Sequence, residues 1–205
     1  MPRLVDLRKK PYYLNDDQIV WVESTLENLT DEEKIGQLFV NLFFFGGDAF
    51  SGNNLSNQEL INRYHIGGAR YMNGSPEQVQ GLINDLQSYS KVPLLVAANC
   101  DSGGDGAVKG GTYISSGAQS EASRDSRIPY LAGLVSAREE TALGVNVNFD
   151  PCVDIVQNWR NTIVNTRAYG TNADDVIAYT SAYLEGLTAE RDVIQCIKHF
   201  PGDGT

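Results

Sequence analysis

Val193-Ile194-Gln195-Cys196-Ile197-Lys198-His199-Phe200-Pro201-Gly202-Asp203-Gly204-Thr205 is the stretch on which the fold turns. Five mostly apolar residues have the length of a buried strand, and a Lys-His pair follows them directly. Pro-Gly-Asp-Gly then bends the chain sharply and leaves the backbone open to close approach by a ligand. A strand ending this way sets two polar heads at one edge of a sheet. Taken alone, the Lys-His pair is equally the capped end of an ordinary strand before a glycine-rich turn.

Working outward, the same strand–turn–helix unit recurs. Ala173 to Glu190 has helical spacing before the last strand, and Val145 to Phe149 is a strand that Cys152 to Val156 has the option of extending past Pro151. Pro129 to Leu143 is a helix closed by Gly144, and Pro93 to Ala98 is an unbroken apolar strand. Ser75 and Pro76 open a helix to Tyr89, as N-cap and first position. Gly68 to Met72 and Val40 to Phe45 are further strands, the latter ending in Gly46-Gly47, with a short helix over Gln58 to Tyr64 between them. A helix over Asp16 to Leu29 comes first, and Thr30 with Glu33 forms a capping box for the next. Ser102 to Gly117 reads as a long glycine-rich loop. His65 reads as a packing or surface histidine.

Strands alternating with helices predict an α/β fold with a parallel sheet, either doubly wound or closed into a barrel. Both arrangements bind ligands at the carboxyl ends of the strands. Asn99 and Asp101 follow the third strand, Asp150 and Asp154 the fourth, and Lys198 and His199 the fifth. Residues 1–205 read as one unit without a linker, somewhat short for a complete eight-unit barrel of about 250 residues.

Composition removes several partner classes. The formal net charge is −10 and the pI about 4.6, which argues against nucleic acid or an anionic membrane. Arg8-Lys9-Lys10 is the sole basic cluster. No apolar run approaches the roughly 20 residues of a membrane span, and Met1 to Gln18 contains no apolar core of a secretory signal. The three cysteines, Cys100, Cys152 and Cys196, are odd in number and lack CxxC spacing, so neither a disulfide framework nor a zinc ribbon is expected. Each lies near the end of an apolar run, as a buried thiol in a reducing cytoplasm would. The scattered carboxylates indicate no metal site, and no cofactor is expected.

Four motifs, in order, carry a resemblance to a known family. Leu29-Thr30-Asp31-Glu32-Glu33-Lys34-Ile35-Gly36-Gln37-Leu38-Phe39 resembles the opening helix of glycoside hydrolase family 3. Phe149-Asp150-Pro151-Cys152-Val153-Asp154-Ile155 is similar to its Phe-Ala-Pro-Val-x-Asp strand, and Asn165-Thr166-Arg167-Ala168-Tyr169-Gly170 to its Arg-x-Tyr/Phe-Gly loop. Lys198 to Gly204 closely resembles the Lys-His-Phe-Pro-Gly-His/Asp-Gly pattern of the family's β-N-acetylhexosaminidases. After the third strand, Asn99-Cys100-Asp101-Ser102-Gly103-Gly104 stands where members carry Asn-Leu-Glu-x-Gly-Gly or a variant, with Asp101 in place of Glu. The resemblance covers residues 29–205. It implies a (β/α)₈ barrel, of which about the first five units are present, and hydrolysis of terminal β-linked N-acetylglucosamine without a cofactor.

The resemblance also implies roles. Asp101 would accept from sugar hydroxyls, Arg167 would donate through its fork, and Lys198 and His199 would donate from the next strand end. The alternatives are an Asx-type loop residue at Asp101 and a salt bridge from Arg167 to Asp150 or Asp154. Asp154 reads as structural, ordering a loop or supporting Arg167 or Lys198. The family's acid/base, an Asp-His dyad in an Asp-Ser/Thr-His segment, and its Asp nucleophile lie beyond the Pro-Gly-x-Gly turn, and neither is in these 205 residues. The chain by itself is therefore expected to be inactive and, with an open barrel edge, to self-associate. A non-catalytic sugar-binding module and a family 3 β-glucosidase are the competing readings. A phosphate-binding enzyme ranks lower, because the glycine-rich turn lacks P-loop spacing and Asp203 repels anions.

Overall fold

The computed structural model describes residues 5–45 and 55–205. Met1 to Leu4 and the Gly46-Gly47 turn lie outside them. Five short strands, β1 (Val40–Phe43), β2 (Gly68–Tyr71), β3 (Leu95–Ala98), β4 (Val147–Asn148) and β5 (Ile194–Gln195), form one sheet in the order β1-β2-β3-β4-β5. Every pairing is parallel. A doubly wound sheet reverses its strand order at a switch point. This sheet has no reversal, so it is wound as the first five units of a (β/α)₈ barrel.

Seven helices accompany the strands in the described residues: α1 (Asp16–Asn28), α2 (Asp31–Gly36), α3 (Asn57–Tyr64), α4 (Pro76–Tyr89), α5 (Gly117–Ala122), α6 (Arg127–Leu143) and α7 (Ala173–Thr188). Local chemistry fixes their starts. Asn15, Thr30, Ser56, Ser75 and Ser116 each accept from the N3 backbone while the N3 side chain, Glu or Gln, returns a bond to the cap. Such a cap is worth about 0.5–2 kcal/mol. None of the helices is long and apolar enough to cross a membrane.

Phe43, Ala69, Tyr71, Val96 and Ala98 of the strands pack in one core with Leu60 and Ile61 of α3 and Val79, Leu82, Ile83 and Leu86 of α4. Residues paired in register share a face, so Val40, Gly68 and Leu95 lie together on the other side, where Val40 and Leu95 are exposed. Ala132 and Ala137 of α6 form a second core with Tyr183 and Leu187 of α7 and Val193.

Several elements differ from expectation. The Ser102–Gly117 loop is ordered: Gly104–Gly106 is a 3₁₀ turn, Ala107 and Val108 are buried, and Ser116 with Gln119 starts α5, a capping box unread in the sequence. α6 begins two residues early, because the Asp125 carboxylate accepts the Arg127 N–H at 3.0 Å. The segment after β4 is not a strand and makes a single bridge, Cys152 to Lys198. Pro151 has no N–H to donate, and Asp150 takes the Cys100 N–H with its side chain, so the ladder stops. His65 closes α3 in a left-handed turn, φ 51°, donating its N–H to Ile61 O at 2.8 Å. Cys196 is exposed, unlike the buried Cys100 and Cys152, because it follows the outermost strand.

The α6–α7 contact depends on two glycines. A Cβ on Gly133 would stand 2.1 Å from the Tyr183 carbonyl oxygen, and one on Gly186 would stand 1.9 Å from the Tyr130 oxygen. Backbone cannot yield as a side-chain tip can. Gly186→Ala is expected to lower stability by about 1–3 kcal/mol, which costs about 2–4 °C of Tm per kcal/mol at this size. Gly81→Ala in α4, where an added Cβ meets nothing within 4 Å, should raise it by about 0.5–1 kcal/mol. Thermal melts of both variants check the pair; equal effects would contradict the packing described.

Candidate functional site

The carboxyl ends of β3, β4 and β5 converge, and there the chain gathers its buried charge. Asp101 follows β3, Asp150 follows β4 and Lys198 follows β5. Lys198 Nζ stands 3.0 Å from Asp101 Oδ2 and 2.8 Å from Asp150 Oδ1. The first is an aligned hydrogen bond; the second is an ion pair without that alignment, which leaves Asp150 Oδ1 without a hydrogen-bond donor. Arg167, in the 3₁₀ turn Asn165–Arg167, closes the far side. Its Nε and Nη2 donate to the two oxygens of Asp101 at 3.2 and 3.4 Å, and Nη1 donates to Ile163 O at 3.1 Å.

Exposure sorts these groups. The Asp150 side chain is 2% exposed and Lys198 12%, against 21% for Asp101 and 29% for Arg167. Asp150 is thus a buried counter-ion, while Asp101 and Arg167 form the accessible lip. Burial pushes the Asp150 carboxyl well up, and the nearby Asp101 charge adds to this against the pull of Lys198. Burial would raise Asp101 too, but Lys198, Asp150 and Arg167 outweigh it and hold it low. Asp101 is therefore held ionised, the state suited to accepting from hydroxyls.

His199 turns to a different partner. Its Nδ1 lies 2.7 Å from Asp154 Oδ2, and its own N–H donates to the same oxygen at 3.1 Å. Asp154 Oδ1 accepts the Asp203 N–H at 2.6 Å, so this carboxylate orders the whole Lys198–Gly204 turn. Cys152 Sγ donates to Asp154 Oδ2 as well, at 3.0 Å. Burial opposes the charge on Asp154, yet these donors bring its carboxyl below the usual range. Gly204 lies so close to Ile155 that a Cβ would stand 1.8 Å from the carbonyl oxygen. The sharp turn is pinned from both ends.

Of the four residues expected to share one cavity, Arg167 and Lys198 both bind Asp101, and His199, next in the chain to Lys198, is held by Asp154. Arg167 pairs with Asp101, not with Asp150 or Asp154. A narrow cleft of about 10 Å³ lies among Asp101, Asp150 and Arg167. A much larger cavity, about 570 Å³, is lined by Ile35, Phe39, Val40, Tyr64 and Ile66 at the amino end of the strands, away from this chemistry. Asp150, which the sequence places at the fourth strand end before Pro151, belongs to the cluster although no binding role was read for it.

Behind the cluster lies a buried polar network. Glu140 of α6 accepts from Cys100 Sγ at 2.8 Å and from Asn148 Nδ2 at 3.0 Å, and the Cys100 backbone N–H in turn binds Asp150. Burial lifts the Glu140 carboxyl to about 7 despite both donors. Its folded value lies above the ordinary 4.5, so the folded chain holds the proton more tightly. The stability this group contributes is whole below about pH 4.5 and is lost as pH rises through about 7, up to about 3 kcal/mol. Urea unfolding at pH 5 and pH 8 should show wild type losing stability relative to Glu140→Gln as pH rises. Parallel profiles would contradict this.

Comparison with known proteins agrees with this fold. The model of the glycosyl hydrolase family 3 N-terminal domain matches residues 30–205. A β-N-acetylglucosaminidase/β-glucosidase of Cellulomonas fimi is 35% identical over 201 residues, 98% of this chain and 34% of that protein. The solved structure of a β-glucoside phosphorylase, BglX, matches with a TM-score of 0.87 at 35% identity, over 97% of this chain and 35% of that one. A family 3 β-N-acetylglucosaminidase from Paenibacillus sp. str. FPU-7 matches with a TM-score of 0.74 at 31% identity, over 86% and 34%. The chain thus spans about a third of the length of these relatives.

Proposed function

This chain belongs to glycosyl hydrolase family 3, and on that premise we propose that its strand-end cluster binds a terminal β-linked N-acetylglucosamine for a retaining, exo-acting glycosidase. A family 3 glycosidase domain implies a carbohydrate substrate. The observation that supports the finer reading is the ionised, accessible Asp101 carboxylate held in the fork of Arg167 and against Lys198. A sugar presents adjacent hydroxyls that donate and accept at once. Asp101 accepts from two of them, while Arg167 and Lys198 have donors to spare. Asp150 holds the Lys198 ammonium from beneath. Asp154 occupies His199 Nδ1 and leaves Nε2 for a further hydroxyl.

The proposal gives this chain recognition, not bond cleavage. Retention requires a nucleophilic carboxylate and an acid/base on opposite sides of the scissile bond. These 205 residues contain no Asp-Ser-His or Asp-Thr-His segment, and no catalytic residue is assigned. The second reading is a β-glucoside as substrate, favoured by the similarity to the phosphorylase structure. Buried free thiols at Cys100 and Cys152 support a further proposal, a reducing cytoplasmic setting.

Calorimetric titration of the chain with N-acetylglucosamine and with glucose tests recognition and chooses between the two sugars. N-acetylglucosamine is expected to bind, glucose more weakly. Asp101→Ala should weaken binding by about 10–150-fold, the worth of one hydrogen bond to a charged group, and Asp101→Asn by less. Binding unchanged in Asp101→Ala would overturn the assignment. Tighter binding of glucose would transfer it to the second reading.

A further inference from the structure

We propose that Cys152, Asp154 and His199 form a binding site for a divalent cation of the zinc type, through thiolate, carboxylate and imidazole. The three donor atoms, Sγ, a carboxylate oxygen and a ring nitrogen, lie within 4.8 Å of one another. Cys152 and Asp154 come from one extended segment after β4, and His199 from the end of β5. The single bridge between Cys152 and Lys198 ties these segments together, so the site is built on paired backbone.

Asp154 Oδ2 is the focus. It accepts from the Cys152 thiol at 3.0 Å, from His199 Nδ1 at 2.7 Å and from the His199 backbone N–H at 3.1 Å. The first two donors are side chains that ligate metals once the proton is gone. A cation entering here takes the place of both. The thiol releases its proton to solvent, the imidazole turns a bare Nδ1 to the metal with its proton on Nε2, and the carboxylate stays ionised. Each cation bound releases one proton.

The geometry needs little adjustment. Ligand atoms around tetrahedral zinc stand about 3.3–3.8 Å apart, given bond lengths of about 2.0–2.3 Å. The Asp154 oxygen must back away from its neighbours by under about 1 Å, and the sulfur and ring nitrogen must close by a similar amount. His199 can make this movement, since its side chain is 34% exposed. The same exposure gives the site its entry path, with Cys152 and Asp154 buried behind it. Asp154 Oδ1 remains bound to the Asp203 N–H, an outer partner of the kind that orients metal-binding carboxylates. One sulfur, one nitrogen and one oxygen suit zinc and disfavour magnesium or calcium, which take all-oxygen sets. Cys100 cannot substitute, because its sulfur faces Glu140.

Cobalt(II) reports such a site directly, since a thiolate ligand gives it a near-ultraviolet charge-transfer band. The expected result is that band at one Co²⁺ per chain, bleached by Zn²⁺, with a proton released on binding. Cys152→Val and His199→Gln should each weaken Co²⁺ binding at least roughly tenfold, no less than loss of an outer partner costs. Cys196→Ser, at an exposed thiol, should leave it intact. His199→Gln carries the test if Cys152→Val fails to fold. No thiolate band with Co²⁺ in excess at mildly alkaline pH would overturn the proposal. So would a band that survives Cys152→Val or disappears with Cys196→Ser. The readout is the metal's own spectrum, so the outcome is independent of sugar binding.

Discussion

One ammonium group holds the working end of this fold together. Lys198 Nζ lies between the carboxylates of Asp101 and Asp150, and each of the three residues comes from the end of a different, neighbouring strand. Parallel strands this short, two residues long at β4 and β5, contribute few ladder bonds of their own. The ion pairs cross-link strand ends where the ladder has stopped. They also carry a cost. Removing one partner strands a buried charge, typically at about 3–5 kcal/mol, so Lys198 and Asp150 constrain one another whatever the cluster binds.

The remaining polar groups read as supports for that arrangement. Asp150 receives the Cys100 N–H, and the Cys100 sulfur is held by Glu140 from the helix layer. Arg167 fixes both oxygens of Asp101 from the opposite loop. Asp154 performs the same service for the Lys198–Gly204 turn, holding His199 and Asp203 with one carboxylate. The accessible groups are thereby presented on backbone that is tied at several points, which lowers the ordering cost of binding a hydroxylated ligand.

Much of this was legible in the sequence because the signals were local. Ser75 with Pro76 and Thr30 with Glu33 mark helix starts by their own side-chain chemistry, and β3 announces itself as an unbroken apolar run. The choice between a doubly wound sheet and a barrel could not be read from alternation alone, since both share it; strand order decided it. Asp101, Arg167 and Lys198 were found through their positions after strands and their resemblance to family motifs. Asp150 was placed at the fourth strand end but given no role in binding, because its importance comes from burial against Lys198, 48 positions away in the chain, which its local position before Pro151 does not encode. The partner of His199 was missed for a related reason. Asp154 was read as a loop-ordering group, and that it would seize the imidazole depends on how the last turn folds back over the fourth strand end. α5 was missed although Ser116 and Gln119 have capping-box spacing, because the surrounding glycines suggested a loop. Three of those glycines, Gly106, Gly111 and Gly117, serve close backbone packing instead.

The central claim is that the strand-end cluster, and not the larger apolar cavity at the opposite end, is where sugar binds. A crystal structure of the chain soaked with N-acetylglucosamine tests it most directly. The account predicts sugar hydroxyls within hydrogen-bonding distance, below about 3.2 Å, of the Asp101 carboxylate and the Arg167 guanidinium, with Lys198 still paired to Asp150. Sugar density among Ile35, Phe39 and Tyr64, with none at Asp101, would contradict it.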